Sequence, residues 1–160
     1  MRSPARPCVI HCTALLAGLL ASAAAPEARA DVEEWRLDPT HSRIVFDVEH
    51  AGFSYSMATL SKPTGRLLFD PESWEGASVE AEIPMASLDF GDEDWNDTMK
   101  GRGWFDIERF PVARFVSTLI EPIDEDEARV HGTLTVRDVS APVTLDLRVN
   151  DVRRNPLTLR

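Results

Sequence analysis

Beyond residue 30 the chain carries three histidines, His41, His50 and His131, and no cysteine, because Cys8 and Cys12 both lie near the start. A metal site needs three converging ligands. Strand parity sends His41 and His131 toward solvent, and neither an H-x-H nor an H-E-x-x-H spacing occurs, so no metal is expected. His41 follows Asp38 by three residues, a pairing suited to securing a turn. His50, with Ser54 and Tyr55 close by, fits the mouth of a cavity, near a ligand head group. Asp89, Asp92, Glu93, Asp94 and Asp97 contain carboxylates enough for an acid–base pair. A solvated acidic face is the simpler account, and their spacing fails the twelve-residue calcium loop. With no glycine-rich phosphate loop, nucleophile elbow or usable thiol, no catalytic residue and no cofactor are expected.

Most of what remains is strand pattern. In Asp38–Val48 a polar turn opens into alternation: Ile44, Phe46 and Val48 point one way, Arg43, Asp47 and Glu49 the other. The pattern returns at Leu67/Phe69, Val79/Ala81/Ile83, Phe115/Leu119, Leu134/Val136 and Leu145/Leu147. All of these are expected to face inward. Asp38-Pro39-Thr40, Asp70–Ser73 and Pro122–Glu127 are turn signals. The stretch from Ala51 to Pro63 is less regular and reads as a bent strand or a rim loop. Asp92–Lys100 reads as a short helix, acidic at its start and basic at its end, and Trp95, Met99 and Trp104 are expected to plug one end of the strand assembly. About seven or eight strands with one short helix make an antiparallel barrel or sandwich. Alternation alone does not separate the two, nor an open cavity from a packed core.

Residues 1–30 have the order of a secretory signal peptide: Arg2 and Arg6, an apolar run from Val9 to Leu20, then Ala28-Arg29-Ala30. The run is shorter than the roughly 20 residues that span a bilayer. A domain over residues 31–160, exported across the inner membrane to the periplasm, is expected, held by packing alone. The whole chain has a net charge of −10, and leader removal deepens the acidic excess. Such a charge repels nucleic acid and anionic surfaces and leaves binding of a neutral, apolar ligand untouched.

Three motifs resemble the YceI-like family of periplasmic polyisoprenoid-binding proteins. They are Trp35-Arg-Leu-Asp-Pro-Thr-His-Ser-Arg-Ile-Val-Phe-Asp-Val-Glu-His-Ala-Gly, Trp104-Phe-Asp-Ile-Glu-Arg-Phe-Pro-Val-Ala-Arg-Phe-Val-Ser117, and Gly132-Thr-Leu-Thr-Val-Arg-Asp-Val-Ser-Ala-Pro-Val-Thr-Leu145. The resemblance implies an all-β, lipocalin-like extended antiparallel β-barrel whose apolar interior holds an isoprenoid or quinone-like lipid. It makes the inward residues, with His50 and Trp104, the ligand-binding set. Nothing in Asn155–Arg160 matches the family's further C-terminal hairpin, so the expectation is an incomplete barrel, monomeric or dimeric through an open edge, and without stable membrane insertion. The functional expectation is sequestration or transport of a long apolar lipid. An enzyme acting on a prenyl or quinone-like substrate and a stress-related interaction protein with a packed core are the alternatives.

Overall fold

A computed structural model describes residues 32–153. The expected leader, residues 1–30, and the tail from residue 154 lie outside them. The described elements are strands β1 (Glu33–Arg36), β2 (Arg43–His50), β3 (Ser54–Ser61), β4 (Thr64–Asp70) and β5 (Ser73–Pro84), then a 3-10 turn (Met85–Ser87) and helix α1 (Glu93–Lys100). Strands β6 (Val112–Pro122), β7 (Glu127–Val136) and β8 (Val139–Arg148) follow. Every ladder is antiparallel. One sheet has the order β1-β4-β5-β6-β7-β8, and β2 and β3 form a second, two-stranded sheet. Among the described residues β8 has no ladder partner on its outer edge.

Alternation sets the strands. In β2 the side chains alternate between exposed and half-buried from Arg43 to Glu49, with Ile44, Phe46 and Val48 covered. The stretch read as irregular is instead the regular strand β3, in full register with β2 from Ile44↔Leu60 to His50↔Ser54. Helix α1 starts where Asp92 accepts a hydrogen bond from the Trp95 amide, with Glu93 and Asp94 in the first turn and Lys100 in the last. That order suits the helix dipole.

The core lies where both sheets meet the 3-10 turn and α1. Ala58 and Leu60 from β3, Ala113 from β6, and Met85, Leu88 and Met99 are buried together. Ile44, Phe46, Ile83, Phe90, Phe105, Ile107 and Val136 pack around them. Two side-chain clasps fix this end. Asp89 accepts from Asn96 Nδ2 at 3.0 Å, while Asn96 Oδ1 accepts from the Phe90 amide at 2.6 Å. Arg137, at the β7–β8 turn, donates from Nη1 to the Trp104 carbonyl at 2.7 Å and lies 5.5 Å from the centre of the Phe110 ring.

Two expectations need correction. Leu119 does not share a face with Phe115, because the register shifts between Ser117 and Leu119. This bulge turns Leu119 outward opposite His131, leaves it 53% exposed, and places Ile120 opposite the buried Val130. Parity counted along an unbroken strand fails at an inserted residue. Trp104 does not plug the barrel end: its side chain is 53% exposed and its carbonyl makes the structural contact. Met99 packs there as expected, and Phe105 takes the place expected of Trp104.

Candidate ligand site

The cross-strand pairs build one apolar face over the large sheet. Gly65, Ala81, Phe115, Leu134 and Ala141 form one row, each paired with the next. Trp35 pairs with Leu67 and Leu67 with Val79, whose amide donates to Ser117 Oγ at 2.9 Å. Further along, Ile120 pairs with Val130 and Val130 with Leu145, while Ala128 pairs with Leu147. Gly132 is needed on this face: a Cβ there would lie 2.5 Å from Phe115 Cε2 and 2.6 Å from the Val116 carbonyl oxygen. The Phe115 ring occupies the space that a side chain would take.

Coverage of this face is uneven. Phe69, Phe115, Ala128 and Val130 are buried, and the Phe69 ring lies 4.8 Å from that of Trp74, tilted by 51°. Leu67, Val79, Ala81, Leu134 and Leu147 are half-buried. On β8, Val139 is 64% and Leu145 44% exposed, although both pair with inward residues of β7. A strip of apolar wall along β7–β8 is therefore uncovered by the described residues. Ile83 and Val136 belong to the packed end, as do Ile44 and Phe46, which lie on the covered side of β2 with Val48.

His50 stands at the end of β2, opposite Ser54, and meets Trp95 edge-on at 5.7 Å. Trp95 touches Phe90 at 5.4 Å, and Phe90 touches Phe46 at 6.1 Å. Aromatic contact thus runs from His50 to the inner side of β2. His41 closes its turn as expected, with Nδ1 2.7 Å from Asp38 Oδ2. That contact, with the Thr40 amide, holds the Asp38 carboxyl below its ordinary range. Asp89 is lowered likewise, by Asn96 first and the Gly91 amide second.

Val130 shares the parity of Leu134 and Val136 but lies outside the candidate set; Ala58 and Leu60 went unrecognised because Tyr55 and Met57 on the opposite side blur the period of β3. Concave space is found elsewhere. A cleft of about 480 Å³ is lined by Glu34, Arg36, Arg66, Glu80, Glu82 and Arg114, with Gly65 and Ala81 at its base. Most of its charges are paired with one another, Glu80 lying 3.3 Å from Arg66 and 3.4 Å from Arg114, and Arg36 3.0 Å from Glu34. On the outer wall, His131 Nε2 is 2.9 Å from Glu121 Oε2 and Nδ1 is 3.0 Å from Thr144 Oγ1. This acid–imidazole–hydroxyl series has the order of a proton relay. It lies across the sheet from the apolar rows and touches none of them. No group of three or more potential metal ligands occurs among the described residues, and no described helix is long and apolar enough to cross a membrane.

The chain is similar to the UPF0312 protein of Pseudomonas syringae pv. syringae (strain B728a), 27% identical over 116 residues, 72% of this chain and 60% of that protein. It is also 28% identical over 116 residues to the UPF0312 protein of Photorhabdus laumondii, with the same coverage. It thus spans about 60% of the length of these curated relatives. Among solved structures, Burkholderia cenocepacia BcnA superposes with a TM-score of 0.63 at 29% identity, over 70% of each chain. The Campylobacter jejuni YceI protein superposes at 0.60 and 24% identity, over 78% of this chain and 72% of that one, a likeness of fold. Both carry the lipocalin-like barrel architecture that the two sheets adopt here. The model of the YceI-like domain matches residues 35–158, and with the fold and the three sequence motifs this shows that the chain belongs to the YceI-like family.

Proposed function

We propose that this protein binds a long apolar lipid, of isoprenoid or quinone-like type, against the inner face of its sheets, and carries or sequesters it in the periplasm without chemical change. The observation that carries the reading is the uncovered strip at Val139 and Leu145, continuous with the rows through Val130, Leu134 and Phe115. An apolar chain laid along it removes CH₂ groups from water, each worth about 0.8 kcal/mol, and needs no polar partner. Its inner residues are aliphatic and aromatic, which suits binding by transfer out of water rather than acid–base chemistry. The acidic outside keeps the loaded protein in solution.

Mass spectrometry of organic extracts from the purified protein tests this directly, together with titration by a fluorescent prenyl probe. A co-purifying prenyl lipid and saturable binding, weakened by Leu145→Asp, are expected. No extractable lipid and no saturable binding would refute the proposal and leave the packed-core reading.

A further inference from the structure

The outer side of the β2–β3 hairpin has a composition at odds with an acidic, charged protein. Phe53 is 90%, Tyr55 71%, Met57 69% and Val45 60% exposed. The pairs Val45↔Thr59, Asp47↔Met57 and Glu49↔Tyr55 put these side chains on one face, opposite to Ile44, Phe46 and Val48. Phe53 stands at the tip. Ala51 and Gly52 both have positive φ, 52° and 75°, and the Phe53 amide donates to the His50 carbonyl at 3.0 Å. Those features define a tight type I′ turn. A non-glycine residue in the left-handed region is uncommon, so the tip holds Phe53 out at some conformational cost.

We propose that this hairpin tip is a contact surface for a zwitterionic lipid bilayer, with Phe53 and Tyr55 entering the interface and Asp47 and Glu49 lying at head-group level. Aromatic side chains with an apolar body favour that depth. The charges select the lipid. The two carboxylates suit the outward ammonium of phosphatidylethanolamine or phosphatidylcholine and are repelled by an anionic surface. The same charges argue against a second copy as occupant: a two-fold contact sets a patch against itself, bringing Asp47 and Glu49 against their own equivalents. The tip is also continuous with the inner side of the hairpin. His50, beside it, begins the aromatic contacts through Trp95 and Phe90 to Phe46. The purpose of the contact rests on the proposed lipid binding, since a carrier must meet the membrane that holds its ligand; the contact itself does not.

The apolar segment Val9–Leu20 can bring a full-length chain to vesicles unaided, so the readout must be local to the tip. Phe53→Trp supplies it. Emission of this variant, less that of wild type, is followed on phosphatidylcholine–phosphatidylethanolamine vesicles with and without brominated acyl chains. The added emission is expected to shift to the blue and be quenched at least twofold by bromine. Replacing a third of the lipid by phosphatidylglycerol should weaken both effects, as should Tyr55→Ser in the same background. Emission that stays red and unquenched overturns the proposal. So does an unchanged response to phosphatidylglycerol, or a concentration-dependent dimer that Phe53→Ser converts to monomer. Binding of detergent-delivered prenyl probe, measured in Phe53→Ser, separates the two readings: loss of the tip contact should leave it intact. A protein that takes up no probe yet shows the quenched tip refutes the carrier function alone.

Discussion

Gly132→Ala is the sharpest probe of how the inner face is built. The added methyl carbon would lie 2.5 Å from Phe115 Cε2 and 2.6 Å from the Val116 carbonyl oxygen, with Phe115 Cζ closer still. Ordinary contacts begin near 3.4 Å, so close to 1 Å of movement is needed. Phe115 is 5% exposed and paired on its row with Ala81 and Leu134, which leaves the ring little room to swing. The carbonyl belongs to the β6–β7 ladder and cannot retreat without opening it. Overpacking a filled core typically costs about 1–3 kcal/mol, and an immovable backbone atom puts this case in the upper half, about 2–3 kcal/mol. At about 4 °C per kcal/mol for a domain of this size, the melting temperature should fall by about 10 °C. Urea titration should show a lower midpoint with an unchanged slope. Phe115→Leu in the same background should recover about 1 kcal/mol of the non-additive part, because it removes the ring clash and leaves the carbonyl clash. A loss below about 0.5 kcal/mol, or strict additivity in the double variant, would show that Phe115 does not lie across Gly132.

Phe105→Ala should cost about 3 kcal/mol by urea titration, as expected for emptying an aromatic site at the edge of the packed end, and a cost under 1 kcal/mol would put Phe105 at the surface. Leu119→Ser should stay within about 0.5 kcal/mol, whereas Val130→Ala should cost about 2 kcal/mol; the reverse order would remove the β6 bulge. Asp89 has its carboxyl lowered by Asn96 and the Gly91 amide, so its contribution is complete above the ordinary aspartate range and is lost as pH falls through the depressed value. Trp95 fluorescence should therefore report α1 loosening on acidification, and Asn96→Ala should move that transition to higher pH; an unmoved transition would mean that Asp89 does not anchor the helix.

Strand existence and facing were legible wherever apolar residues alternated with charged ones, as in Arg43–Glu49, since a charge on the wrong side is too costly to bury. The helix was legible from its charge order, because Asp92 and Lys100 suit opposite ends of one dipole. β3 was not, because in Ser54–Ser61 both faces carry apolar groups and the polar residues between them are small hydroxyls that tolerate either face. The Ser117–Leu119 bulge left no mark, as Thr118 is equally at home in a regular strand. Trp104 misled because size alone suggested burial, whereas the structure uses its backbone oxygen. Which strands pair across the chain, β1 with β4 above all, depends on contacts that no local pattern encodes. The inner rows of the candidate site were mostly readable from parity; their uneven cover was not, since exposure depends on what lies opposite.

The Arg137 clasp also sets an order of events during synthesis. Its carbonyl partner belongs to Trp104 and its stacking partner is Phe110, both made some thirty residues earlier. Until the β7–β8 turn leaves the ribosome, the segment between α1 and β6 is held by its own backbone bonds, such as those from the Phe105 amide to the Met99 carbonyl and from the Met85 amide to the Pro111 carbonyl, and it lacks the Arg137 bond. The packed end thus gains one of its two clasps late, and in a nascent chain held before residue 137 the Trp104 carbonyl lacks its arginine partner.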